Sequence, residues 1–349
     1  MAKTKIEFVC RECGSSHHQW AGQCLDCKAW NTLEEVVISQ ATSSKPESLK
    51  DLPASKVQNL SEVKSQNKNR LSTGLTELDR TLGGGLVDGS VVLIGGDPGI
   101  GKSTLILQAL AAVNATNTTL YVSGEESAEQ VSERAIRLGI KEDILFIGET
   151  HLEKIIKLSK DVQPKVIVID SIQTMVTDVS TSAPGSVTQV RDCAAQLTQY
   201  AKQTNTILLM IGHVTKGGAL AGPRILEHMV DAVLYFEGDP GGRYRIIRAV
   251  KNRFGAVNEI SVFAMGEKGL QQVSNPSSIF LSNQENPSSG SMVMVTREAT
   301  RPLLVEIQAL VDQANGTPKR VSVGLDQNRL SLQLAILHKH SGIATFDQD

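Results

Sequence analysis

Gly96-Asp97-Pro98-Gly99-Ile100-Gly101-Lys102-Ser103, followed by Thr104, has the spacing GxxxxGK[ST]. It stands between an apolar run and a helical pattern. In that context glycines let backbone N–H groups curl around phosphate oxygens, and the helix start adds a dipole that favours anions. The chemistry this implies is nucleoside-triphosphate binding with Mg2+. Lys102 would reach the β and γ phosphates, the Ser103 hydroxyl would hold Mg2+, and Thr104 would lie near the α phosphate. Asp170 ends the apolar run "KVIVID", where a second acid on the Mg2+ side belongs. "YVSGEES" ends another run with two acids. Glu125 is the expected base polarising an attacking water, with Glu126 either competing for that role or capping the helix that Ser127 opens. "IGHVTKGG" adds His213, Thr215 and Lys216, which either sense the γ phosphate or serve the structure.

A second chemistry sits at the amino end. Cys10 and Cys13 form one CxxC pair, and Cys24 and Cys27 another. Two such turns close a tetrahedral S4 shell, which suits structural Zn2+ because no coordination position stays open. A redox dithiol pair is the alternative. His17 and His18 compete as ligands on paper but read as surface residues beside four cysteines. Trp20 and Trp30 are expected to cover an interior too small to hold itself without metal. Cys193, on an expected helix, reads as an apolar filler. Far downstream, "AVKNRFGAV" sets Lys251 and Arg253 two positions apart, so strand alternation would point both cations the same way. A solvated strand end is the plain reading of such a pair.

These groups need a scaffold. "VVLIGG", "TLYVSG", "ILFIG", "KVIVID" and "TILLMIG" read as buried parallel strands, with helices over 127–138 and 189–203 between them. The alternation predicts a doubly wound α/β domain. "DAVLYFEG" and "YRIIRAVKN" read as a hairpin added to its edge. The expected organisation is a cysteine module over 1–33, a flexible linker over 34–69 rich in Ser, Lys, Gln and Asn, an ATPase domain over 70–272, and a further unit over 273–349. That last unit, strands followed by an amphipathic helix, reads as the incomplete start of a domain. The 349 residues hold 40% hydrophobic and 21% charged side chains, as in ordinary globular proteins. The charge of 35 − 37 = −2 announces no global basic field. No apolar run is long enough for a membrane span, and the amino terminus has no signal-peptide pattern, so a cytoplasmic location is expected.

With these motifs in order, the chain resembles the bacterial RadA/Sms DNA-repair family, a branch of the RecA-like ATPases. The likeness extends over nearly the whole chain. It rests on the cysteine pairs, "LSTGLTELDRTLGGGL", "GGDPGIGKST", "VSGEES", "VIVIDSIQT", "GHVTK", "KNRFG" and "GTPKRVSVGLDQNRL". It makes the nucleotide ATP, and it implies a RecA-like P-loop ATPase core, an N-terminal C4 zinc finger and a partial Lon-protease-like (α+β) C-terminal domain. It further implies a DNA-dependent ATPase and helicase that forms a hexameric ring, acts on single-stranded and branched DNA, and promotes branch migration with a RecA-type recombinase. Lys102, Asp170 and Glu125 become catalytic under this resemblance. Lys251 and Arg253 supply cations to a neighbouring subunit's ATP. Loops over 172–190 and 216–228 become DNA contacts through Arg191, Lys216 and Arg224, which meet phosphates rather than bases. An ATP-binding regulatory switch without translocation is the rival reading. An ATP-fuelled protease is weaker, for no Ser–Lys dyad is evident.

Overall fold

The computed structural model describes residues 5–10, 12, 15–38, 70–180, 182–213, 226–238, 242–281 and 289–349. Most of the expected linker, 39–69, lies outside the described residues. At the amino end β1 (Lys5–Cys10) pairs antiparallel with β2 (Ser16–His17) and with β3 (Leu33–Ile38). Trp20 and Trp30 do not cover this module's interior as expected: they are 61% and 70% exposed. Cys10, Cys24 and Leu33 fill it, with Phe8 and Ala21 against them. A three-stranded sheet whose interior is taken by thiols has no room left for an indole.

After the short helix α1 (Thr76–Thr81) comes the central sheet. Its strands are β4 (Val91–Gly96), β5 (Thr119–Ser123), β6 (Leu145–Gly148), β7 (Val166–Asp170), β8 (Ile207–His213), β9 (Ala232–Glu237), β10 (Tyr244–Asn252), β11 (Ile260–Gly266) and β12 (Gly269–Gln272). Their spatial order is β12-β11-β10-β9-β4-β8-β7-β5-β6. The strands from β9 to β6 in that order are mutually parallel, and β10, β11 and β12 continue the sheet antiparallel. Helices α2 (Lys102–Asn114) and α3 (Ala128–Leu138) cover one face, whereas α4 (Leu152–Val162) and α5 (Val187–Thr204) cover the other.

Alternation along β4 makes this layering visible. Val92 and Ile94 pack toward α2, while Val91 and Leu93 join the cluster of α4 and α5. A strand buried on both faces has no polar side, which is why these runs are continuously apolar. Local signals start the helices. Ser127 and Gln130 form a reciprocal capping box at α3, and the Ser186 hydroxyl accepts from Gln189 N at α5. Cys193 in α5 is buried, and burial pushes its thiol up to about 12. It is therefore a filler and not a nucleophile.

The hairpin of β9 and β10 joins the edge of the five expected parallel strands, at β4, as the sequence predicts, and the sheet then runs on through β11 and β12. Two other expectations need correction. β6, expected to be buried, is the edge strand, and its residues are exposed or half-buried. The loop expected over 172–190 ends at Ser186, where the capping hydroxyl begins α5.

The chain forms two compact units, Met1–Ser274 with Glu298–Arg301, and Asn275–Arg297 with Pro302–Asp349. Within the second lie most of the hairpin β13 (Ser291–Glu298) and β14 (Arg301–Gln308), and the helix α6 (Gln327–Ser341). Asp326 caps α6 by accepting from Arg329 N, yet none of the helix's residues is buried. The amphipathic pattern there does not correspond to a buried face in this structure. No helix among the described residues is long and apolar enough to cross a membrane.

Candidate functional site

Parallel strands all deliver their carboxyl ends to one edge of a sheet, and the polar residues of β4, β5, β7 and β8 meet there. β4 leaves at Gly96 and α2 begins at Lys102, with Gly101 between them in the left-handed region at φ 112°. A side chain on Gly101 would also strike the Met265 methyl, since a Cβ there would lie 2.6 Å from Met265 Cε. The first turn of α2 carries no acidic residue, so its dipole is left uncancelled for an anion. Lys102 is buried, and its ammonium donates to the Gly96 and Asp97 carbonyls at 2.8 and 2.9 Å. Burial pushes that ammonium down in pKa, while the charges of Asp170, Glu125 and Asp97 oppose the shift.

Asp170 ends β7 and is 5% exposed. Burial raises its carboxyl pKa, and hydrogen bonds from Tyr121 and Ser103 counter the rise. Ser103 and Asp170 thus face one another beside Lys102, a hydroxyl and carboxylate oxygen set suited to Mg2+. Tyr121 was not singled out from the sequence. Its phenol donates to Asp170 Oδ2, and its ring stacks on Phe146. A phenol in the middle of the buried run "TLYVS" was the signal for it, since a buried O–H needs an acceptor.

The two acids after β5 part company. Glu125 Oε1 accepts from the Ser171 hydroxyl and lies 3.2 Å from His213 Nε2. The His213 hydrogen bond, followed by that of Ser171, holds the Glu125 carboxyl down at about 2, against the effect of burial. Glu126 instead makes a two-pronged ion pair with Arg134 of α3, and the cap of that helix is Ser127. Lys102, Ser103, Asp170, Glu125 and His213 therefore gather at one edge. Thr215, Lys216 and Arg224 lie outside the described residues. Arg191 sits in α5 and not on a loop, exposed and 3.8 Å from Asp192.

Lys251 and Arg253 lie elsewhere. Ala232 of β9 pairs with both Val92 of β4 and Asn252 of β10. The end of β10 is therefore level with the amino end of β4, four residues or about 13 Å of strand from Gly96 at ~3.3 Å per residue. Simple alternation does not orient the two cations. A register shift between Ala249 and Lys251 interrupts the strand, and Arg253 follows its end. They nevertheless reach one segment: Lys251 Nζ donates to the Glu227 carbonyl at 2.5 Å, and Arg253 Nη1 is 3.5 Å from Asp231 Oδ1. Asp231, buried, also accepts from Val91 N and from the Lys202 ammonium. Arg253 stays 62% exposed.

At the amino end, Cys10 and Cys27 Sγ are 3.6 Å apart, and with Cys24 all three sulfurs lie within 4.8 Å of one another. Cys13 lies outside the described residues. Zn–S bonds of about 2.3 Å in a tetrahedron set sulfurs about 3.8 Å apart, so this cluster fits zinc. Hydrogen bonds from Ser15, from backbone N–H groups and from His17 hold the Cys24 thiol down at about 5, favouring the thiolate a metal needs. His17 is not a detached surface residue as expected. Its Nε2 lies 3.5 Å from Cys24 Sγ and 3.6 Å from Asp26 Oδ2. His18 is exposed.

Comparison with known proteins agrees with both chemistries. Residues 58–219 match a family described as AAA domain, and residues 8–35 one described as rubredoxin metal binding domain. The chain is 57% identical to the DNA repair protein RadA of Pseudomonas aeruginosa, over 100% of this chain and 78% of that protein. It is 52% identical to the protein of the same name from Escherichia coli, over 100% of this chain and 78% of the relative. Against that of Bacillus subtilis the identity is 47%, over 100% and 77%.

Two outcomes are expected from this geometry. Glu125 titrates at about 2 in the fold against an ordinary 4.5. Its contribution to stability is present above the ordinary value and is lost as pH falls through the folded one. A His213→Ala chain lacks the main cause of that depression, so its melting temperature should fall less than the parent's as pH drops from about 4.5 to about 2. Separately, both tryptophans of the chain lie in the cysteine module. Stripping zinc with a strong chelator should change tryptophan fluorescence while the melting of the central sheet, followed by circular dichroism, stays put.

Proposed function

We propose, from the premise that the chain belongs to the RadA family of DNA repair proteins, that it is an ATP hydrolase working as a ring-shaped motor on single-stranded and branched DNA. The observation that carries this reading is the gathering of Lys102, Ser103, Asp170, Glu125 and His213 at the carboxyl edge of the parallel strands. The phosphate loop Gly96–Thr104 and the start of α2 would hold the phosphates of ATP. Lys102 would turn from the two carbonyls to the β and γ oxygens. Ser103 and Asp170 would hold Mg2+, which when bound neutralises charge on the transferred phosphoryl group. Glu125 would orient the attacking water, and its ties to Ser171 and His213 fix where its oxygens point.

Lys251 and Arg253 face away from this subunit's own phosphate loop, at the opposite edge of the sheet. A head-to-tail ring sets that edge of one subunit against the nucleotide edge of the next, and there Arg253 would stabilise transition-state charge with Lys251 assisting. Arg191, Lys216 and Arg224 would contact DNA phosphates, giving salt-sensitive binding without base readout. The same reading assigns 1–33 to zinc, with β3 carrying that module on to Ile38, the rest of 34–69 to a linker, 70–272 to the motor and 273–349 to the start of a Lon-protease-like domain. It also makes a hexamer the working form, in the cytoplasm, promoting branch migration of recombination intermediates beside a RecA-type recombinase.

Turnover measured with and without single-stranded DNA tests the motor. Stimulation is expected, and its absence favours the switch that binds ATP without translocating. Lys102→Ala should abolish turnover. Arg253→Ala should keep ATP binding yet lose about a thousand-fold in turnover, the scale of an arginine finger. Mixing the two variants should restore some activity if Arg253 acts across the subunit boundary.

A further inference from the structure

The stretch "LSTGLTELDRTLGGGL" has no role in the chemistry above, although it touches the loop that carries Arg253. Arg70, the first described residue after 39–69, donates from Nη2 to the Phe254 carbonyl at 2.7 Å. Leu71 then pairs with Leu86 through two hydrogen bonds of 2.8 Å, which closes 71–86 into a loop. Within it Gly83 meets Gly255 backbone to backbone. A Cβ on Gly83 would lie 2.8 Å from Gly255 Cα, and one on Gly255 would lie 2.7 Å from Gly83 Cα. Asn252 completes the contact. Its amide donates to the carbonyl of Thr81, the last residue of α1, at 3.1 Å, and its Oδ1 accepts from Phe254 N at 2.8 Å.

Every residue around Arg253 is therefore held. Asn252 is tied through its side chain, Phe254 through both its N–H and its carbonyl, and Gly255 through close packing. Arg253 N donates to the Asp231 carbonyl at 3.0 Å, while its side chain stays mostly exposed. A guanidinium that must meet a charge on another molecule gains from a backbone that does not move, since misplacement by about 1 Å can cost a hundred-fold. We infer that Arg70, Gly83, Asn252 and Gly255 form a clamp that sets the reach of Arg253, so that the chain entering from the cysteine module positions the cation offered to a neighbouring subunit. The inference rests on the proposed role of Arg253 in trans. It makes Arg70 a positioning residue, not a catalytic one, and it explains why a glycine run stands at 83–85. There the backbone of 254–255, and in the same loop that of Leu71, approach too closely for side chains.

The test uses the full chain with Arg70→Ala, Arg70→Lys and, in parallel, Arg253→Ala. One net hydrogen bond lost corresponds to roughly a two- to ten-fold change. Amide exchange over 252–256 should quicken by that factor in Arg70→Ala, and kcat should fall by a similar one with nucleotide affinity unchanged. Arg70→Lys, which keeps a donor, should recover part of both. Unchanged exchange and unchanged kcat in Arg70→Ala, with Arg253→Ala inactive, would overturn the clamp alone. If Arg253→Ala keeps full turnover, the reading in trans fails and the reach argument with it, whatever exchange reports.

Discussion

Parallel pairing of β4 with β8, and of β8 with β7, is the constraint on which the rest depends. Parallel strands cannot be joined by tight turns, and helices follow β4, β5, β6 and β7, so that the connections leaving these strands' carboxyl ends emerge at the same edge. Lys102, Glu125, Asp170 and His213 are as much as 111 residues apart in the chain (213 − 102). They meet because each stands just beyond, or at, the end of such a strand. The apolar layers on the two faces hold this edge still, and Tyr121 of one layer lends its phenol to Asp170.

At that edge one buried cation faces several acids. Burial pulls the Lys102 ammonium down in pKa, while the charges of Asp170 and Glu125 oppose the shift and two carbonyls accept its hydrogen bonds. The acids are in turn differentiated by their donors. Asp170 sits in a drier place, with Tyr121 and Ser103 opposing the upward push of burial, and Glu125 is drawn far down by His213 and Ser171. Two carboxylates a short way apart thus acquire different basicities from their surroundings, as a site that both holds a metal and orients a water requires. The opposite edge repeats the device in reverse. There the buried carboxylate Asp231 gathers Lys202, Arg253 and the N–H of Val91, tying the start of β4 to the cation-bearing loop.

The strands β4, β5, β7 and β8 were legible to within a residue because a continuous apolar run bounded by glycine or an acid has few other fates. The phosphate loop was legible for a similar reason: its glycines, lysine and hydroxyl are contiguous, so the motif is complete before the chain folds. Partners brought from afar were not legible. Nothing near Tyr121 in sequence announces Asp170, and nothing near Asn252 announces the carbonyl of Thr81. Trp20 and Trp30 were misread because aromatic character alone does not say whether a small module has an interior to spare. The hairpin of β9 and β10 was legible together with its place at the edge of the parallel strands, but the two strands that extend the sheet beyond it were not.

By itself, then, the sequence determined what is encoded in contiguous residues: the strand and helix types, the phosphate-binding loop and the two cysteine pairs. Those follow from local sterics, side-chain periodicity and ligand spacing. Tertiary structure alone decided that Lys251 and Arg253 stand at the edge opposite the phosphate loop, and that Glu125 faces Lys102 while Glu126 turns to Arg134. It also decided that Gly83 meets Gly255 backbone to backbone. The physical reason is that strand order and register come from long-range burial. Burial chooses among pairings that the local chain leaves equally open.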